Sequence, residues 1–175
     1  MKDFNKAEEC YAKAKELGYG ENLQLVLVEV YLQTGKYDEA ASIANESLKA
    51  CQKVGNTDCQ ANGLLSLSEA KRLSGDTNAA RAALNQARPL ASKSLDVYLR
   101  GRLLYGEARQ LNAEHKLNEA LAVYRQLITL IETVKGSLGA SGQREFSENY
   151  GYIYDELVSL LYSMSNRDSH DRLKF

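Results

Sequence analysis

The chain has no tryptophan, three phenylalanines and a single proline in 175 residues. So little proline leaves long helices free to run, since an interior proline removes a hydrogen bond and clashes with the preceding turn at a cost of about 3 kcal/mol. Cysteine is also scarce. Cys10, Cys51 and Cys59 form no C-x-x-C, which excludes a disulfide-built scaffold, and no ligand spacing suits zinc. Neither sign of charge prevails: 22 Lys and Arg against 23 Asp and Glu leave a net charge of −1. No global field therefore favours nucleic acid or an anionic membrane, and neither is expected as a partner. No apolar run approaches the roughly 20 residues that span a bilayer, and no signal peptide is visible at the start. With 44% hydrophobic and 26% charged residues the composition is that of a folded domain. A soluble protein is expected, with the cytoplasm favoured.

What the chain does have is a period. Ala40, Ala80 and Ala120 recur every 40 residues, each five positions after the same kind of turn, at Gly35, Gly75 and His115. A fourth copy, Phe4-Asn5-Lys6-Ala7, lies 33 residues before Ala40. Fixed-period self-similarity marks a helical solenoid, in which neighbouring units share one continuous core. Cys51 shares a repeat column with Ala91 and Ile131. Two readings stay open for it: a small buried apolar residue, or one end of a bridge to Cys59 across the turn Val54-Gly55-Asn56.

Helices are expected over about 3–17, 21–34, 38–54, 57–73, a fifth starting after Asp76 or Thr77, then 95–113, 117–135 and 144–165, with 167–175 a ninth cut short. Asn56, Thr57 or Asp58 caps the fourth, and Asp76 or Thr77 the fifth. Pro89 should end or kink the fifth near Ala87-Arg88. Gly136 to Gly142 reads as a flexible connector. It has no Lys-Ser or Lys-Thr and follows a helix, so it is no phosphate loop.

The columns resemble the tetratricopeptide repeat, a helix–turn–helix unit of about 34 residues. In the first helix they read Gln24-x2-Leu27-Val28-x2-Tyr31, Leu64-x2-Leu67-Ser68-x2-Lys71 and Leu104-x2-Glu107-Ala108-x2-Leu111. In the second they read Ala7-x3-Tyr11-x2-Ala14, Ala40-x3-Ala44-x2-Ser47, Ala80-x3-Leu84-x2-Ala87 and Ala120-x3-Tyr124-x2-Leu127. Close helix crossings need the small residue, and a large one a turn away fills the gap. The longer period, Val28 at a small position, His115 at a turn glycine and the missing terminal proline depart from the pattern. The resemblance implies an all-α, right-handed alpha-alpha superhelix. It is read as a single domain over 1–175, with a partial repeat at 1–18, repeats at 21–55, 57–93 and 95–135, and a helix and truncated repeat at 143–175. Met1 precedes what reads as a second helix, so both ends should expose apolar surface and associate weakly with another copy. Ser137-Leu138-Gly139, Arg144-Glu145-Phe146-Ser147-Glu148-Asn149 and Tyr152 to Leu161 further resemble the segment before the last repeats of CHAT-domain proteins. That resemblance implies a regulatory or substrate-recruiting array beside a caspase-like peptidase whose catalytic residues lie outside these 175.

No chemistry is expected of the chain itself, and no cofactor or metal. A cysteine nucleophile needs a histidine in reach. His115 sits in a turn, His170 near the C-terminus, and Cys10 far from both along the array. Glu145, Glu148, Asp155 and Glu156 read as solvated charges rather than a converging acid–base pair. The resemblance instead implies a protein or peptide partner on a concave face lined by first helices. Three rows, each spaced by 40, project from the packing seam there: Asn22, Asn62 and Arg102; Leu25, Leu65 and Tyr105; Glu29, Glu69 and Arg109. Arg72 adds a cation. The groove should run from acidic at Glu29 and Glu69 to basic at Arg72, Arg102 and Arg109. Lysine is absent from the rows, against a clamp for a terminal carboxylate.

Overall fold

The computed structural model describes residues 20–172, with side chains from 24 to 166, together with Lys6, Glu9, Cys10, Lys13 and Glu16 one by one. Those five are helical. The rest of the first expected helix, Ala7 included, lies outside the described residues. Seven helices follow: α1 (Gly20–Gln33), α2 (Tyr37–Lys53), α3 (Thr57–Leu73), α4 (Thr77–Ala91), α5 (Val97–Ala113), α6 (Leu117–Gly136) and α7 (Ala140–Arg172). No strand occurs among the described residues. The fold is all-α, built of helix–turn–helix repeats. The helices group into two compact units, Met1–Gly106 and Glu107–Phe175.

Four turns share one construction. Lys36 N donates to Tyr31 O at 2.9 Å, Asn56 N to Cys51 O at 3.0 Å, Asp76 N to Lys71 O at 2.9 Å and Lys116 N to Leu111 O at 2.9 Å. This six-residue closure needs a left-handed residue one position earlier. Gly35, Gly55 and Gly75 fill it at φ 77°, 69° and 87°, and His115 takes the fourth place at φ 60°. A side chain there costs about 1–2 kcal/mol of backbone strain. His115→Gly is therefore expected to raise the unfolding free energy by about 0.5–1 kcal/mol, readable as a higher midpoint in a urea melt. A lower midpoint would show that the imidazole contributes more than the strain costs. The helices after two of these turns are capped as expected: Asn56 Oδ1 accepts from Cys59 N and Asp76 Oδ1 from Ala79 N, both at 3.0 Å.

The period of 40 survives as burial. Ala40, Ala80 and Ala120 are each 0% exposed. The columns four, seven and eleven positions on (Ala44, Leu84, Tyr124; Ser47, Ala87, Leu127; Cys51, Ala91, Ile131) are buried as well. In the first unit Val28 packs with Ala40, Ala41, Ala44 and Ala70. Ala61, Leu64, Leu65, Leu84, Ala87, Ala91, Leu99 and Leu103 form the next cluster. Close approach is literal at Gly63, where an added Cβ would stand 3.3 Å from Leu48 Cβ and 3.4 Å from the Ala44 carbonyl oxygen. In the second unit α6 packs on α7. Tyr124 Oη donates to Glu156 Oε2 at 2.7 Å, and Tyr154 Oη donates to Glu132. Burial first, then that hydrogen bond and the Glu132 charge, push the Tyr154 hydroxyl up to about 12.

Three local expectations are corrected. Pro89 does not break its helix: α4 runs to Ala91, and Ser92 N still donates to Arg88 O at 3.0 Å. Pro89 stands in the last turn, and the donor it lacks would have served Asn85, an exposed residue whose carbonyl water can reach. The connector is shorter than Gly136 to Gly142, because α7 already starts at Ala140, with Gln143 N donating to Gly139 O at 2.9 Å. Finally, α7 runs through Ser165-Asn166 to Arg172 without a break. No glycine or proline stands there, and serine and asparagine only weaken a helix. Cys51 and Cys59 are joined across their turn, with Cα atoms 5.7 Å apart. Of the two readings open for Cys51, the structure holds the bridge, and the residue is also 5% exposed.

Candidate functional site

The face expected to bind is built in the first unit by α1, α3 and the start of α5. A row spacing of 40 equals one repeat, so row neighbours come from successive first helices and meet side by side. Asn62 and Arg102 do so. The Arg102 guanidinium donates through Nη1 to Asn62 Oδ1 and through Nη2 to Ser66 Oγ at 3.2 Å. Both acceptors are neutral, so the arginine is held in place with its charge uncompensated by them. Ser66 was missed by the sequence reading. The signal was present, since Ser66 follows Asn62 by four positions and helical neighbours at that spacing share a face.

The other row residues divide. Glu69 and Arg72, one turn apart on α3, form a two-pronged pair: Arg72 Nε donates to Glu69 Oε2 at 3.0 Å and Nη2 to Oε1 at 2.8 Å. They cancel each other's charge rather than mark opposite ends of a groove. Glu29 is exposed, and its Oε1 accepts from Gln33 Nε2 at 2.8 Å. Leu25 and Tyr105 are half-buried. Leu65 is corrected. It is 5% exposed and sits in the core with Leu64 and Leu84, because α3 packs on neighbours to both sides and little of its surface stays open. Arg109 has a carboxylate beside it. It belongs to the second unit, where its Nε stands 3.6 Å from Glu156 Oε1. The side chain of Asn22 lies outside the described residues.

Among the described residues no three His, Cys, Asp or Glu gather as metal ligands, and no helix is long and apolar enough to cross a membrane. Helix pairs closed by left-handed glycines, with an alanine at each crossing, set the comparison with known proteins. Residues 21–93 match the tetratricopeptide repeat family. No curated protein matches the chain. The matched segment covers α1 to α4, the helices joined by the three left-handed glycine turns. Tetratricopeptide repeats in general mediate protein–protein interaction, and all-helical arrays of this kind are typically non-catalytic.

Proposed function

We propose that the chain is a non-catalytic scaffold that binds an extended or helical peptide segment on the concave face of its first unit. Arg102 carries the reading. It is a preorganised cation, fixed by Asn62 and Ser66, with room in its remaining donors for an anionic group. Glu69 and Arg72 neutralise one another, so the polarity of the face reduces to Glu29 on α1 and Arg102 on α5. The ligand should bear a carboxylate against Arg102 and a basic residue towards Glu29. Exposed ion pairs contribute only about 0–1 kcal/mol, so Leu25 and Tyr105 supply the apolar contact.

Synthetic peptides that differ only in carboxylate against carboxamide test this by calorimetric titration. Arg102→Gln is expected to weaken the acidic peptide by up to about 1 kcal/mol, roughly fivefold, and to leave the amide form nearly unchanged. Equal affinity for both peptides in the unaltered protein would move the site off this face. No nucleic acid or membrane is proposed as partner.

Weak self-association belongs to the same reading, since apolar side chains stand exposed on both units. The alternative is an array that recruits or gates a CHAT-type peptidase domain. It is supported by the segment from Arg144 to Leu161, which lies on the one continuous helix α7. Disulfides persist in oxidising compartments, so the Cys51–Cys59 bridge pulls against a cytoplasmic location.

A further inference from the structure

The Cys51–Cys59 bridge is not needed to build the turn it crosses. The bonds that close this turn are made by other atoms. Asn56 N and Gln60 Nε2 both donate to the Cys51 carbonyl oxygen, at 3.0 and 3.5 Å. Asn56 Oδ1 accepts from Cys59 N at 3.0 Å, and Gly55 takes the left-handed position at φ 69°. The turns at Gly35, Gly75 and His115 close in the same way and contain no cysteine.

One repeat on, the same two columns hold hydrocarbon. Ala91 and Leu99 stand 40 residues after Cys51 and Cys59, and both are buried in one core cluster. Free thiols at such places behave as small apolar residues, so an unbridged pair suits the packing. The bridge also spans a sequence separation of only 8, and a short loop restrains the unfolded chain less than a long one. The two residues differ in access. Cys51 is buried, whereas Cys59 is half-buried at the start of α3, and Val54, Gly55, Asn56 and Thr57 before it are exposed.

We propose that Cys51 and Cys59 are a reversible redox couple, and that their bridge is a latch on the α2–α3 turn that a dithiol opens while the array stays folded. A thiolate of the dithiol attacks Cys59 Sγ, at the more accessible end. The S–S bond breaks, and Cys51 leaves as a thiolate that takes up a proton. The second thiolate of the dithiol then attacks its own sulfur in the mixed disulfide and releases Cys59, which is protonated in turn. The protein gains two electrons and two protons, and the dithiol becomes a disulfide. A small disulfide oxidant reverses the sequence. Reduction removes a tether between the end of α2 and the first turn of α3. The amides of Cys59 and Gln60, which donate to Asn56 Oδ1 and Asn56 O, then open more often, whereas the turn at Gly75 is unaffected.

Thiol alkylation of the full chain, read by peptide mass spectrometry, tests the couple. Cys10 is free and exposed and labels in every state. Without reductant it alone is expected to label. With dithiothreitol and no denaturant, Cys59 and then Cys51 should gain a label each, and oxidised glutathione should restore their protection. Helical circular dichroism should be the same in both states, while amide exchange at Cys59 and Gln60 rises on reduction and that of Asp76 does not. Cys51→Ala with Cys59→Ala should keep the helical signal and remove the response of those amides to dithiothreitol. Labelling of the pair that requires urea, or helicity lost on reduction, overturns the couple, as does labelling of the pair before any reductant is added. Amide exchange that is equal in the two states, or a response that persists in the double variant, overturns the latch.

Discussion

Replacing Tyr124 with alanine is expected to cost the second unit about 3–5 kcal/mol, the range for removing a fully buried aromatic side chain. Tyr124 is 1% exposed and occupies the large position four residues after Ala120. Its hydroxyl donates to Glu156 Oε2 at 2.7 Å, while Glu156 Oε1 also faces Arg109 Nε at 3.6 Å. One side chain thus fills the helix crossing and tethers α7. Tyr124→Phe separates these roles. It keeps the ring and removes only the hydrogen bond, leaving Glu156 with its arginine and about a third of its side chain exposed, so a loss of about 1 kcal/mol is expected. Urea melts of the two variants give the comparison. Equal losses would mean that the hydrogen bond, not the packing, holds the helix.

Ala80→Leu is expected to cost about 1–3 kcal/mol by overpacking. Ala80 is 0% exposed, and its carbonyl accepts from the buried Ser68 Oγ at 2.8 Å. A leucine has no room between α3 and α4 unless the helices part, and parting them breaks that bond. Ala82 is exposed on the same helix, so Ala82→Leu should stay within about 0.5 kcal/mol and serves as the control. If the two variants melt together, the 40-residue register does not mark the helix crossing.

The contrast between those alanines shows what the sequence determined by itself. Periodicity is a local property that reports burial. A column that must be small in every copy reveals itself by repetition, and so do the left-handed turn positions at Gly35, Gly75 and His115. Asn56 and Asp76 were legible as caps because capping acts within three residues. Helix type and the seam from Ala40 to Ala120 followed from spacing, and so did the placing of Asn62 and Arg102 in one row. Helix ends were less legible. Pro89 in a last turn and Ser165-Asn166 inside α7 are tolerated, because their costs are small beside the packing of the whole helix.

Only the tertiary structure decided how the groove residues partition. Leu65 and Leu25 stand in one row, yet α3 is covered on both sides and Leu65 joins the core. Glu69 and Arg72, which the groove reading set apart, are the exception, because their contact is three residues long within one helix and could have been read from spacing. Arg109 occupies a row position and is taken by Glu156, 47 residues away. A row predicts which face a side chain leaves from. It does not predict which partner reaches it first, because that depends on side chains brought from distant parts of the chain.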